Sequence, residues 1–165
     1  MRPLILAAAI ALVAAPAFAQ TLKLTGPDGR TAVVSEADLA AMPRVKFVFD
    51  AHGQKHEYEG PLLIDLMARV GAPTGKAVGG REMADVILVT AMDGYQVALG
   101  LAEADPGTRP NRIIVADRSD GAPLSAKEGP FKLVIEGDVR PARSARMVSA
   151  ISLIRLGTTP RATGH

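Results

Sequence analysis

Two histidines four residues apart, His52 and His56, are the most chemically suggestive side chains of the first half, with Glu57 and Glu59 close behind them. On a helix that spacing would put both imidazoles on one face, where they could ligate a metal ion together with a carboxylate. Gly53 lies between them in a predicted hairpin, so the residues alone do not set this geometry. We interpret the segment as a solvated turn in preference to a metal site.

Basic residues gather in the last third of the chain. Arg143, Ser144 and Arg146 come directly before the final predicted strand, and Lys132 lies in an earlier one. Two guanidinium groups and a hydroxyl at one place could hold an anion or the polar edge of a heterocycle. Taken alone, the cluster fits a solvated surface even better.

Composition excludes several kinds of chemistry. The chain has no Cys, which rules out disulfides, thiol nucleophiles, thiolate metal sites and iron–sulfur clusters. It carries no serine-hydrolase, zinc-peptidase, Walker or dinucleotide-binding motif. With 19 Lys+Arg against 17 Asp+Glu, it lacks the basic excess that nucleic-acid binding requires.

The first 19 residues are typical of a cleavable signal peptide. Arg2 makes a positive start, residues 4–15 are apolar, and residues 17–19 form an A-x-A cleavage pattern. We therefore predict cleavage after Ala19 and a periplasmic or secreted protein. A single domain is expected over residues 20–156, followed by a flexible tail over residues 157–165.

We predict an α+β fold for the mature chain, with mixed sheets and a few short helices. Ser35 is a candidate cap for a short helix that stops before Pro43, and Gly60 with Pro61 predicts a second helix ending at Gly71. Because predicted strands dominate and predicted helices occur only in the first half, alternating βαβ units are not expected. The predicted strands lie around Leu22 and in residues 31–34, 45–50, 55–59, 85–91, 95–99, 112–117, 131–135 and 147–156.

Six short segments, taken in order, resemble a known family. Together they are similar to the molybdopterin-binding domain of the sulfite oxidase family, over about residues 22–156, which implies a sulfite-oxidase-like α+β fold with a pterin-binding cleft. The segments are Leu39-x-x-Met42-Pro43, Tyr58-x-Gly60-x-x-Leu63-x-Asp65-Leu66, Ala91-Met92-Asp93-Gly94-Tyr95, Gly121-Ala122-Pro123-Leu124, Glu128-Gly129-Pro130-Phe131-Lys132-Leu133-Val134 and Arg143-Ser144-Ala145-Arg146-Met147-Val148.

The resemblance implies site residues and one departure. Two family segments that reach the pterin and its phosphate match residues 128–132 and 143–147, where Lys132 and Arg146 keep the positive charge. The cysteine that ligates molybdenum in the family would fall near residues 50–52, which read Asp50-Ala51-His52 here. Without Cys, thiolate ligation is impossible, so we expect a pterin and no molybdenum. The leader also lacks the arginine pair that would favour export of a folded, cofactor-loaded chain.

These observations predict an exported protein that binds a pterin and has no catalytic residue. A pterin offers a donor edge to a carboxylate, a carbonyl to arginine and a flat face for stacking. Asp93 also fits a hairpin turn, and Tyr95 also fits the core. The candidate ligand-binding residues are Arg143, Ser144, Arg146, Lys132, Glu128, Tyr95, Asp93 and His52, with Asp117 as a further polar partner.

The resemblance extends to a small exported subgroup, some of whose members act with membrane-bound cyclic-dinucleotide signalling proteins. It therefore implies a sensing or regulatory role with such a partner. Two alternatives stay open: a molybdopterin-dependent oxidoreductase with a non-cysteine metal ligand, and a ligand-free interaction module beside a membrane protein.

Overall fold

The computed structural model describes residues 20–51 and 53–156. The predicted signal peptide, the predicted flexible tail and His52 lie outside these ranges and stay predictions. Among the described residues, no helix is long and apolar enough to cross a membrane.

Short strands are the commonest regular elements of the described chain, and three short α-helices lie between them, so the α+β class is confirmed. The helices are α1 (Glu36–Ala40), α2 (Leu63–Ala68) and α3 (Leu101–Ala104). The strands are β1 (Thr21–Thr25), β2 (Thr31–Ser35), β3 (Val45–Ala51), β4 (Gln54–Gly60), β5 (Val86–Ala91), β6 (Gln96–Gly100), β7 (Ile113–Ala116), β8 (Arg118–Ser119), β9 (Ala122–Pro123), β10 (Lys132–Ile135) and β11 (Val148–Ile154).

A five-stranded sheet joins the two ends of the described chain. Its order is β2-β1-β11-β5-β6, with β1 parallel to β11 and every other pair antiparallel. Leu22 and Leu24 are fully buried while Lys23 between them is exposed, which is the alternation that a half-buried strand requires. The sheet therefore has one face on the core and one face toward solvent.

A second, four-stranded sheet has the order β3-β4-β8-β9, and β7 pairs with β10 beside it. Backbone hydrogen bonds join the two: the Val115 amide donates to the Pro61 carbonyl over 3.0 Å, and the Asp117 amide donates to the Glu59 carbonyl over 3.1 Å. The backbones meet so closely at Gly60 that a Cβ there would lie 2.1 Å from the Val115 oxygen. This contact fixes β4, which carries part of the site.

Two groups of buried side chains hold the fold together. The larger lies under the five-stranded sheet and includes Leu63, Leu66 and Met67 of α2 with Phe131, all fully buried. The smaller packs between β3, β4, β7 and β10, and consists of Phe47, Phe49, Tyr58, Ile114, Ala116 and Val134. The smaller group supports the wall of the cleft described below.

The helices differ in two places from the sequence expectation. The cap at Ser35 is confirmed, since its Oγ accepts from the Asp38 amide at 3.1 Å. The predicted start of α2 at Gly60 and Pro61 is wrong: Gly60 ends β4 opposite Val45, the Pro61 carbonyl accepts from β7, and the helix begins at Leu63. Tertiary pairing thus outweighs a local cap signal. Helix α3 was not predicted at all, and helices are therefore not confined to the first half.

Candidate functional site

A cleft of about 540 Å³ opens where four segments of the chain meet, and we call it the main cleft. A smaller cavity of about 260 Å³, the side cavity, adjoins it. Pro141, Ser144 and Arg146 line both, so they form the wall between the two. The remaining residues of the main cleft are Gln54, His56, Tyr58, Ser119, Asp120, Ser125, Glu128 and Lys132.

Lys132 lies at the floor of the main cleft with its side chain almost entirely buried. It belongs to β10, and its ammonium group donates to Tyr58 Oη over 2.7 Å and to the Glu128 carboxylate. The same nitrogen lies 4.3 Å from the centre of the Tyr58 ring. The buried charge is therefore paired, and one of its three N–H groups is left to meet a ligand.

Ser144 and Arg146 present unused hydrogen-bonding groups in the shared wall. Ser144 is only 8% exposed, and its Oγ has no hydrogen-bond partner in the described part of the chain. Arg146 is exposed, and its guanidinium forms no ion pair with any described residue. Buried polar atoms in proteins are almost always hydrogen-bonded, so this hydroxyl and the neighbouring guanidinium are candidate positions for binding a ligand.

The backbone next to Arg146 is held in an unusual conformation. Met147 has φ of +50°, a left-handed value that costs a residue with a long side chain about 1 kcal/mol or more. Its amide donates to the Glu128 carbonyl, and its carbonyl accepts from the Met92 amide, both over 2.9 Å. These bonds hold the turn that presents Arg146 and tie it to the Glu128 side of the cleft.

His56 and Asp120 form a second polar pair in the main cleft. His56 Nδ1 lies 2.6 Å from Asp120 Oδ2, and Asp120 Oδ1 accepts from the Glu57 amide over 2.9 Å. The hydrogen bond from His56, and then that from the Glu57 amide, hold the pKa of Asp120 below its usual range. The carboxylate therefore stays ionised and fixes the imidazole.

The structure brings most of the expected site residues together. Glu128 and Lys132 lie in the main cleft, and Asp93 and Tyr95 line the side cavity. Tyr95 Oη donates to the Ala142 carbonyl over 2.6 Å, and Asp93 Oδ1 accepts from the Tyr95 amide over 2.9 Å. Asp93 thus serves the predicted hairpin turn and still leaves one oxygen without a described partner.

Arg143 is not brought into this group. Its guanidinium bonds Asp138 over 2.6 Å and Glu103 over 3.3 Å, and it lines neither cavity. The Asp138 carboxylate raises the pKa of Arg143, so its charge is permanently committed to this contact. Asp117, the further candidate, is similarly bound to Arg44. His52 lies outside the described residues.

Several cleft residues were not among the expected ones. The sequence presents His56 only beside His52, as part of a turn or a metal site, and does not mark Tyr58 as a site residue. Both lie on one face of β4 with Gln54, so a period of two along that strand was the usable signal. Of the others, Ser119 belongs to the two-residue strand β8, and Asp120 and Ser125 lie in loops, so no periodic pattern marks them in the sequence.

The side chains near His56 do not assemble into a metal site. Across residues 20–51 and 53–156, no three His, Asp or Glu side chains lie close enough to hold a metal ion. Glu57 and Glu59 turn toward Lys46, whose Nζ lies 3.8 and 3.2 Å from them. The chain also has no thiolate to offer molybdenum, so its donor set does not fit the metal that the family resemblance implies.

Comparison with known proteins gives a fold and nothing more specific. No family model matches the chain, and no curated protein matches it. Among solved structures, the sulfane dehydrogenase SoxCD from Paracoccus pantotrophus is similar, with a TM-score of 0.64 and 15% sequence identity over 83% of this chain. The chain spans only 38% of that protein's chain. The likeness supports a distant molybdopterin-oxidoreductase-like fold.

Proposed function

We propose that this protein binds a pterin-type heterocycle in the main cleft, without molybdenum. The observation that carries the proposal is the buried hydroxyl of Ser144 beside the guanidinium of Arg146, neither of which has a polar partner among residues 20–51 and 53–156. Burying a hydroxyl without a hydrogen bond costs about 1–3 kcal/mol, and a ligand in the cleft would remove that cost.

The charges of the main cleft suit an uncharged ligand. Lys132 and Arg146 are balanced by Glu128 and Asp120, so the lining has no net charge while His56 is neutral. A pterin offers a carbonyl oxygen to Arg146 and an amino edge to the oxygen of Glu128 that Lys132 does not occupy. The exposed ring of Tyr95 lies beyond the shared wall, in the side cavity, and would meet only a substituent of the pterin that extends past Arg146.

The same proposal extends to the biological role. A signal peptide would deliver the protein to the periplasm, and the cleft contains no assembled nucleophile or metal centre among its described residues. We therefore propose a sensing or regulatory protein that reports the presence of a pterin to a membrane-bound cyclic-dinucleotide signalling partner. The family resemblance of the six segments is the support for this partner.

Isothermal titration calorimetry with a tetrahydropterin tests the proposal directly. The metal-free protein should release or absorb heat on binding, and Arg146→Ala should weaken the affinity by about tenfold, the loss expected for one hydrogen bond to a charged group. Arg140→Ala is the matched control, because Arg140 is exposed and lines neither cavity. No heat at millimolar pterin would refute the proposal.

Two further measurements separate the alternatives. Molybdenum in one-to-one ratio with the protein in native periplasmic extracts would favour an oxidoreductase with a non-cysteine ligand. A partner protein that is bound and regulated equally well by the wild type, Arg146→Ala and Tyr95→Ala would favour a ligand-free interaction module.

A further inference from the structure

The hydrogen bond between His56 and Asp120 fixes which nitrogen of the imidazole carries hydrogen. An ionised carboxylate can only accept, so the contact of 2.6 Å between Nδ1 and Asp120 Oδ2 requires hydrogen on Nδ1. A neutral imidazole has a single N–H group. Nε2 of neutral His56 is therefore a bare lone pair, and it has no hydrogen-bond partner among the described residues.

Asp120 is itself firmly held, so this arrangement exists before any ligand arrives. Its φ of +51° is a left-handed conformation, and its backbone amide donates to the Glu57 carbonyl over 2.8 Å. Its second carboxylate oxygen accepts from the Glu57 amide over 2.9 Å. His56 keeps 41% of its side chain exposed, which leaves room for a further contact.

We propose that the His56–Asp120 pair is a hydrogen-bond acceptor subsite of the main cleft, which selects ligands that direct an N–H or O–H donor at His56 Nε2. The subsite rests on the proposed function, because it belongs to the same cleft. It adds a specificity-determining acceptor to a cleft that Arg146 and Ser144 also line. The ligand class that satisfies both the acceptor and these donors is a heterocycle with a lactam or amino donor on one edge and a carbonyl oxygen on another.

The surrounding charges give the subsite a recognisable pH dependence. Protonation of His56 would place an N–H group on Nε2, which can no longer accept a hydrogen bond from a ligand. It would also give the cleft lining a net charge of +1, which attracts an anion. A donating ligand should therefore bind better as pH rises, and an anion should bind better as pH falls. The charged and titratable groups that line the cleft with His56 are Tyr58 on β4, Asp120 after β8, Glu128 before β10, Lys132 at the start of β10, and Arg146 before β11. On the neighbouring strand β3, the residue paired with His56 is the apolar Phe49.

The test is calorimetry with the same tetrahydropterin at several pH values between 5 and 8. His56→Gln is the reference protein, because glutamine keeps polar contacts and does not titrate. Both proteins meet the same mixture of pterin protonation states at each pH, so the ratio of their affinities reports the difference that His56 makes. We expect the affinity of the wild type relative to His56→Gln to rise at least about fivefold from pH 5 to pH 8.

Asp120→Asn tests the tautomer itself. Asparagine tolerates the left-handed backbone and can still accept from the Glu57 amide, but it presents an N–H group to His56 Nδ1. The imidazole hydrogen then moves to Nε2, as happens when the aspartate of a serine-protease triad is replaced by asparagine. Asp120→Asn should therefore bind the pterin at least about fivefold more weakly than the wild type at pH 8. Lys55→Gln, on the opposite and exposed face of β4, should bind like the wild type.

The outcomes separate this inference from the proposed function. A relative affinity that does not change with pH, or that rises toward pH 5, would overturn the acceptor subsite and leave pterin binding intact. Unchanged binding by Asp120→Asn, with unfolding curves that show it is folded, would do the same. No heat from any of the proteins at millimolar pterin would overturn both.

Discussion

Replacing Ser144 by alanine should make the unliganded protein more stable. The buried Oγ has no described partner, so it contributes a desolvation cost and no hydrogen bond. Alanine keeps the Cβ and removes only the oxygen. An unpaired buried hydroxyl costs about 1–3 kcal/mol, and we expect the lower end, near 1 kcal/mol, because the hydroxyl lies at the wall of two cavities. For a domain of this length that corresponds to a rise of about 4 °C in the unfolding midpoint.

A second serine provides the matched control. Ser149 lies on β11, and its Oγ donates to the Thr90 carbonyl over 3.2 Å. Ser149→Ala removes a satisfied hydrogen bond of the same kind and should lower the free energy of unfolding by about 1 kcal/mol. The two serine variants are thus expected to shift stability in opposite directions.

Urea unfolding followed by circular dichroism measures both changes, and the slopes of the unfolding free energy against urea should match the wild type. In the same preparation, Ser144→Ala should bind the pterin more weakly while being more stable. If Ser144→Ala lowers stability as much as Ser149→Ala does, the Ser144 hydroxyl has a partner after all, and the reasoning that links it to a ligand fails.

Three further changes follow from the described contacts. Gly60→Ala should lower the unfolding free energy by about 2–3 kcal/mol, because the added methyl group collides with the Val115 backbone. Gly79→Ala is the control: a methyl group there meets nothing within 4 Å, so urea unfolding should be almost unchanged. Arg44→Met should cost about 2 kcal/mol at pH 7 and progressively less in acid, measured as unfolding free energy against pH. Arg44 holds the pKa of Glu59 below its usual range, so the stabilisation is present above the unfolded pKa and is lost as pH falls through the folded one. Tyr95→Phe should cost about 1 kcal/mol and raise amide hydrogen exchange in residues 142–144, because its hydroxyl no longer holds that turn; unchanged exchange would contradict this role.

Local patterns were enough to predict many of the elements. The alternation around Leu22 and the cap at Ser35 depend on neighbours two or three residues away, and both appear in the structure as expected. The start of α2 was misjudged because Gly60 and Pro61 are used by a strand more than 50 residues later in the chain. No local signal reports such a partner.

The same distinction applies to the candidate site. Arg143 and Arg146 are three residues apart in the same basic segment, and nothing in the sequence separates their roles. In the structure, Arg143 bonds Asp138 and Glu103, whereas Arg146 lines the main cleft. His56 and Asp120 are 64 residues apart, and only the pairing of β4 with β8 brings them together. Family resemblance supplied Arg146, while the His56–Asp120 pair needed the structure.

The parallel pairing of β1 with β11 has a practical consequence for handling the protein. Lys23 lies beside Ala150, so β1 begins at the same end of the sheet as β11, which directly follows Arg146 and the cleft wall. Gln20 shares a shallow depression with Ser125, which also lines the main cleft. A tag or fusion partner attached ahead of Gln20 would crowd the entrance, whereas one attached after Leu156 would leave from the opposite end. Binding assays and immobilisation should therefore use the carboxyl terminus.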